Sequence, residues 1–318
     1  VQTCALPIFT ANLTCFFFEV KWELDEEEKI ASVVLCILCA LFAITAISGN
    51  GIVLFTIWKT QELHSPSFIL LFCLAMSDLL VGLVGQPSFV AYKIAESLES
   101  FSAYCNLRLI QFFCGWISSS VSFITVSGIS VDRLLALHLH LRYKSIITVR
   151  RVITAIIIVW LVCSVATTLK LWVQNWIIIA IIGKLSAITT TAFCTGKIFR
   201  IARGHERQIT GQNNIVTSCS IRTKDINIRA CKKSATTVIY VFSWMLMFYL
   251  PFLVVMAMEM IKGNEKVVKI AYEWASLLVF INSSVNPVIY CWRMEQIRLR
   301  IKTLFKRKAS SNKIHSVS

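Results

Sequence analysis

Polar and charged residues divide this chain into seven long apolar runs joined by short hydrophilic connections. The runs cover about Ile30–Trp58, Ser67–Tyr92, Ala103–Leu137, Val152–Trp172, Trp176–Ile201, Ala230–Ile261 and Val267–Cys291. Each reaches or exceeds the ~20 residues an α-helix needs to cross a hydrocarbon core. The pattern therefore predicts an all-α membrane protein, a seven-transmembrane helix bundle. The fourth and fifth runs nearly merge. Residues 152–199 are too many for one crossing and about right for two, and the only sensible turn between them is Val173-Gln174-Asn175-Trp176. After Arg293 comes a short amphipathic stretch, with Ile297, Ile301, Leu304 and Phe305 on one face and Arg298, Arg300, Lys302 and Lys306 elsewhere. It predicts a short eighth helix lying on anionic lipid.

Composition agrees with the pattern. Of the 318 residues 56% are hydrophobic and 15% charged, which excludes an ordinary soluble domain. The net charge of +15 could suggest nucleic acid, but the charges are sorted by loop. On one side lie 23 of the 32 Lys and Arg; on the other lie 11 of the 17 acids, including Glu19, Glu23 and the run Asp25-Glu26-Glu27-Glu28. Basic connections mark the cytoplasmic side, so the amino terminus is expected outside and the tail in the cytosol, with no nucleic-acid partner. The expected organisation is an extracellular segment at 9–29, a membrane domain at 30–291, and an amphipathic helix with cytoplasmic tail at 292–318. Residues 1–8 resemble the translation of a sequencing adapter and are expected to be a non-native scar; an ordinary short tail is the other reading. Asn12-Leu13-Thr14 is a glycosylation sequon on the expected outer side.

Polar residues within apolar spans are candidates for function. Asn286-Pro287 sits near the end of the last run. The proline removes a backbone hydrogen bond and kinks the helix, and the amide needs partners from neighbouring helices, which requires a bundle with a polar interior. Asp78 lies midway along the second run, Asn50 in the first, Ser122 in the third, and Asn282 and Asn286 one turn apart in the seventh. One carboxylate facing several neutral oxygens suits a hydrated Na⁺. A hydrogen-bond network around a protonated Asp is the other reading. Asp132-Arg133 ends the third run, where a cation can simply snorkel. Lys184, near the middle of the fifth run, either points into a cavity to meet an anionic ligand group or snorkels outward. Most of the twelve Cys lie in the spans; on the outer side, apart from Cys4, only Cys15 and Cys105, at the outer end of the third run, are available. These two form an extracellular disulfide or remain two free thiols.

In order and spacing these residues resemble a rhodopsin-class (class A) G-protein-coupled receptor over Ile30–Lys308. The matching positions are Gly49-Asn50, Leu63-His64-Ser65-Pro66, Leu74-Ala75 with Asp78, Ser130-Val131-Asp132-Arg133, Trp160, Pro251 and Asn286-Pro287-Val288-Ile289-Tyr290. Within the class the chain is most similar to the melanocortin/adenosine/cannabinoid group, through Leu63-His64-Ser65-Pro66, Leu141-Arg142-Tyr143, Thr148-Val149-Arg150-Arg151, the tiny second outer loop without Cys and the Pro-less fifth helix. Departures are plain. Leu134 follows Asp-Arg where Tyr is usual, Tyr249 replaces the sixth-helix Trp, Thr195 takes the place of an activation Tyr, and Arg108 stands where the usual disulfide Cys would be. Gly115 and Phe280 replace the amine-binding carboxylate and the retinal-linking Lys, and Ser88, Arg108 and Phe112 replace the melanocortin acidic cluster. Amine, retinal and melanocortin ligands are thus disfavoured.

The resemblance implies a plasma-membrane receptor that performs no chemistry, and no catalytic motif or resident cofactor is visible apart from the Na⁺ candidate. An extracellular ligand, small-molecule, lipid-like or peptide, shifts a two-state bundle, and the sixth helix pivots at Pro251 to admit a heterotrimeric G protein beside Arg133. Asp132, Arg133, Tyr249, Pro251, Asn286, Pro287 and Tyr290 are the expected activation residues. Asp78, Ser122, Asn282 and Asn286 are expected to converge on the Na⁺. The ligand pocket is expected under the short outer loop, open at its entrance, among Phe112, Gly115, Trp116, Lys184, Tyr249, Phe252, Glu273 and Phe280, with Lys184 and Glu273 as its orienting charges. Arg133 is expected to pair with Asp132 at rest. Cys231-Lys232-Lys233 stands where the sixth helix usually carries an acid, which predicts basal activity unless the Thr195 departure weakens the active state by more. A receptor that folds without coupling, and a channel or transporter, are the alternatives. No inverted repeat supports the latter.

Overall fold

The computed structural model describes residues 13–304 except 17, 21, 23, 24, 140, 141, 174, 175, 212–218, 263 and 264; the side chains of 13, 18–20, 202 and 205–235 are also outside the description. Residues 1–8, Asn12, Phe305, Lys306 and the rest of the tail therefore lie outside the described residues, as do the Gln174-Asn175 turn and the side chains of Cys231, Lys232 and Lys233.

The chain begins with a hairpin, β1 (Leu13–Cys15) paired antiparallel with β2 (Phe18–Val20). The helices follow: α1 (Glu26–Lys59), α2 (Pro66–Leu80), α3 (Gln86–Ser97), α4 (Phe101–Leu139), α5 (Tyr143–Ile146), α6 (Val149–Thr168), α7 (Trp176–Gly211), α8 (Cys219–Lys262), α9 (Lys266–Arg293) and α10, residues 295–304. One π-helical turn, Val81–Gly85, joins α2 to α3 as a single span. Among the described residues, seven helices are long and apolar enough to cross a membrane, as the hydrophobic pattern predicted.

Local chemistry explains where the helices begin and end. Asp25 and Glu28 form a reciprocal capping box at the start of α1. The helix thus begins at Glu26 rather than Ile30, with Glu26, Glu27 and Glu28 in the first turn, where acids complement the helix dipole. The second span also runs past its expected end at Tyr92, to Ser97. Its continuation carries Lys93 and Glu96, which pair with each other inside the helix and so remove the reason for stopping at a charge. It closes with a Schellman motif: Glu99 adopts a φ of 53°, Ser100 N–H bonds the Ala95 carbonyl at 3.0 Å, and Glu99 N–H bonds that of Glu96 at 3.2 Å.

In the bundle α4 is the central post, packed against α2, α3, α6, α7 and α8, while α9 lies between α1 and α8. Gly49 lets α1 meet α9 closely: a Cβ there would come within 2.9 Å of the Pro287 ring. One core cluster surrounds Leu74, Met245, Tyr290 and Ile297 at the basic end; another surrounds Leu35, Phe89, Tyr92 and Phe280 at the hairpin end. Ile297 is fully buried and Ile301 packs beside it, which seats α10 against the bundle. Arg300 of α10 also pairs with Glu62. The hairpin, which the sequence pattern did not indicate, is tied by a Cys15–Cys105 disulfide to the start of α4, with Cα atoms 5.6 Å apart. An isolated hairpin of this size is marginal in water, and the bond supplies an anchor.

Candidate functional site

The middle of the bundle holds a buried polar cluster. Asp78, 1% exposed, accepts a hydrogen bond from Asn286 Nδ2 at 2.8 Å, and the Ser283 hydroxyl lies against the same carboxylate. Asn50 Nδ2 donates to the carbonyls of Ala46 and Ser283, each at 2.9 Å. Ser122 bonds Ser77 at 3.0 Å rather than Asp78. The Oδ1 atoms of Asn50, Asn282 and Asn286 and the Tyr290 hydroxyl are all buried without a hydrogen-bond partner among the described residues. A buried carboxylate with Asn286 and Ser283 against it, in a bundle interior that also holds unpaired amide oxygens, supplies donors of the kind that hold water or a hard cation.

At the basic end a cavity of about 710 Å³ opens between α2, α4, α8, α9 and α10, with Arg133, Thr237, Val241, Tyr290 and Arg293 in its wall. Asp132 is held by two hydroxyls: Ser67 Oγ donates to Oδ2 at 2.6 Å, and Tyr143 OH donates to Oδ1 at 2.5 Å. Burial and the Asp132 carboxylate raise the Tyr143 phenol above its ordinary pKa, so it remains a donor. Arg133 Nε stands 3.9 Å from Asp132 Oδ2, at the limit of an ion pair. The expected Asp132–Arg133 lock is thus weak, because the hydroxyls already satisfy the carboxylate. The sequence reading missed both partners. Ser67 directly follows the quoted Leu63-His64-Ser65-Pro66, and Tyr143 lies within the quoted Leu141-Arg142-Tyr143.

Toward the hairpin end a small cavity of about 40 Å³ is bounded by Phe112, Gly115, Trp116, Lys184, Tyr249, Phe252 and Phe280, along with Gln111, Tyr272 and Ser276. Lys184 is 6% exposed and places its ammonium 4.1 Å from the Trp116 ring centre. Among the described residues no carboxylate pairs with it. Tyr249 packs edge-on against Phe123, with ring centres 4.9 Å apart, two residues before the Pro251 position in α8. Thr195 is buried on α7.

One expectation about this cavity needs correction. Glu273 does not line it: its carboxylate bonds Lys93, which also holds Glu96 at 2.7 Å, and Lys269 reaches Glu96 at 3.1 Å. Three of these four side chains are nearly fully buried, and an ion so enclosed pairs with other ions before any ligand arrives. Lys93 and Glu96, three residues apart at the end of an apolar run, were the signal for this network. Trp176, 4% exposed, packs 4.7 Å from Trp116 and 5.8 Å from Phe112, and its indole N–H bonds the Ala166 carbonyl. This ring lines a second cavity between α4, α6 and α7 rather than the small one.

The pattern that defines the family described as "7 transmembrane receptor (rhodopsin family)" matches residues 49–179 and 172–290. The chain belongs to the rhodopsin family of seven-transmembrane receptors. The receptor is 24% identical over 300 residues to cannabinoid receptor 2 of Rattus norvegicus, covering 86% of this chain and 78% of that one. It is 22% identical over 315 residues to the histamine H2 receptor of Cavia porcellus, covering 91% and 84%. Its fold matches squid rhodopsin with a TM-score of 0.77 at 22% identity, covering 89% of the receptor and 87% of the rhodopsin chain. The near-equal identities place the receptor in class A without singling out a subgroup. As a member of this family it is a multi-pass membrane protein that signals through G proteins and is not an enzyme. At family level its partners are a G protein and a small-molecule or peptide ligand.

Proposed function

We propose that the receptor lies in the plasma membrane with its hairpin end outside, binds a small organic or lipid-like ligand in the Lys184 cavity, and passes the signal to a heterotrimeric G protein at the basic end. The observation that carries this reading is the pair of cavities on opposite sides of the Asp78 cluster. The one at the basic end is large, is walled by Arg133 and Tyr290, and adjoins loops rich in Lys and Arg. A ligand that fits the cavity better in one packing of α8 shifts the population toward it by that difference in affinity.

Na⁺ fits the central cluster on its donor set: the Asp78 carboxylate supplies the charge, and the unpaired Oδ1 atoms of Asn282 and Asn286 supply neutral oxygens. Ser122 would contribute only by leaving Ser77. A bound cation there would compensate the buried charge and favour the packing that keeps these groups together.

The test is guanine-nucleotide exchange on a purified heterotrimer by the receptor in lipid nanodiscs, with Arg133→Ala as control. Exchange above the control supports coupling. Exchange equal to that of Arg133→Ala, across receptor concentrations and several heterotrimer classes, overturns it.

A further inference from the structure

Lys184 lies where two cavities meet. One is the small chamber among Trp116, Tyr249 and Phe280; the other, of about 170 Å³, lies between α4, α6 and α7 and includes Ile124, Val162, Ala166, Ile179 and Gly183 in its wall. The second cavity faces away from the bundle. Ile124, Val162 and Ile179 are 36%, 57% and 48% exposed, and a Cβ at Gly183 would meet nothing within 4 Å. The groove exists because α6 and α7 each pack along α4 but scarcely touch one another. Its lining is apolar apart from small hydroxyls and Lys184, and it is about as large as apolar cavities of ~150 Å³ that admit a benzene-sized guest.

Trp176 forms part of the groove wall, packed against Phe112 and Trp116 and bonded to the Ala166 carbonyl of α6. A buried ammonium that no carboxylate among the described residues pairs with, reachable through a hydrocarbon-facing groove, calls for an anion that arrives with its own apolar tail. Among the described residues the charge is a single lysine, and no arginine lines either cavity. Phosphate monoesters favour the fork of an arginine or several cations, whereas one carboxylate matches one ammonium.

Resting on the reading of this cavity as a ligand site, we propose that the receptor binds a long-chain carboxylic acid that enters laterally from the bilayer between α6 and α7. Its carboxylate pairs with Lys184 under the Trp116 ring, and its tail lies along the groove past Ala166 and Gly183 into lipid. The reading differs from ligand entry at the hairpin end in needing no opening there.

Binding is measured directly and does not depend on coupling. The full chain in nanodiscs of zwitterionic lipid is titrated with 9,10-dibromostearate, and quenching of its tryptophan fluorescence is followed, with the methyl ester reporting unspecific partition. The acid should quench saturably at concentrations at least about tenfold below the ester. Lys184→Gln should erase that difference, Lys184→Arg should retain most of it, and Gly183→Leu should weaken the acid while leaving Lys184 in place. Melting temperatures identify any variant that has lost its fold. Equal quenching by acid and ester on the wild-type receptor, or an unchanged acid–ester difference in a folded Lys184→Gln, overturns the proposal. A lysophosphatidic acid that outcompetes the acid through Lys184 overturns the carboxylate assignment. Saturable binding without nucleotide exchange would leave this site standing and count against the coupling reading alone.

Discussion

The side-chain amide of Asn50 donates to the carbonyl of Ser283 at 2.9 Å, the carbonyl left without its helical partner because Pro287, four residues on, has no N–H. The defect that kinks α9 is thereby repaired from α1, and Gly49 beside Asn50 allows the approach. Replacing Asn50 by Leu should lower stability by about 1–2 kcal/mol, the scale of an interhelical hydrogen bond in a membrane. Gly49→Ala should also destabilise, since its Cβ would press on the Pro287 ring, whereas Gly51→Ala, with open space around it, should not. Thermal melting in nanodiscs distinguishes the three; equal losses at Gly49 and Gly51 would refute the close-approach account.

The ion network at the hairpin end should behave as a unit. Glu273→Leu leaves Lys93 with one buried partner, and removing a member of such a pair commonly costs about 3–5 kcal/mol. Lys93→Met combined with Glu273→Leu should recover a large part of that loss. A double-mutant cycle on melting temperature checks it; additive losses would mean that the two side chains act independently.

Asp25 of the capping box also pairs with Lys266 at the start of α9, joining the first and last spans at their exposed ends. The ammonium holds the Asp25 carboxyl below its ordinary 3.8. A depressed carboxyl adds stability above its ordinary range and loses it as pH falls through that range. The melting-temperature difference between the wild-type receptor and Asp25→Asn should therefore be positive near neutrality and shrink between about pH 5 and pH 3. It should also shrink with salt, because the pair is exposed.

At the centre, Asp78→Asn should abolish any Na⁺ dependence of ligand or G-protein affinity, because it removes the only carboxylate in the described cluster. The measurement is affinity in NaCl against an organic-cation chloride at equal ionic strength. A sodium effect that survives the substitution would place the cation elsewhere.

At the basic end Asp132 is engaged by Ser67 and Tyr143 and stands 3.9 Å from Arg133, so it restrains the arginine weakly. Within α8, Cys231-Lys232-Lys233 carry no acid where the resemblance places one. Basal nucleotide exchange should exceed background, and Cys231→Glu should lower it up to about fivefold, the effect of an added partly wet ion pair of at most ~1 kcal/mol. Exchange indifferent to that substitution would show that the resting equilibrium is set elsewhere.

Apolar runs of spanning length and the sorting of Lys and Arg were enough to determine the seven crossings, since a hydrocarbon solvent leaves a chain few alternatives to helices of that length. The same logic singled out Asp78, Asn286 and Lys184, because a polar group in an apolar run must find a partner or serve a ligand. What the chain order could not show was which partner each would take. Glu273 looked like a pocket charge until α3 and α9 came together and gave it Lys93. Asp132 looked like the mate of Arg133 until two short connections placed the Ser67 and Tyr143 hydroxyls on it. The groove beside Lys184 belongs to no single stretch of sequence. It arises because α6 and α7 both lean on α4 and not on each other, and such spacing is settled by the packing of side chains far apart in the chain.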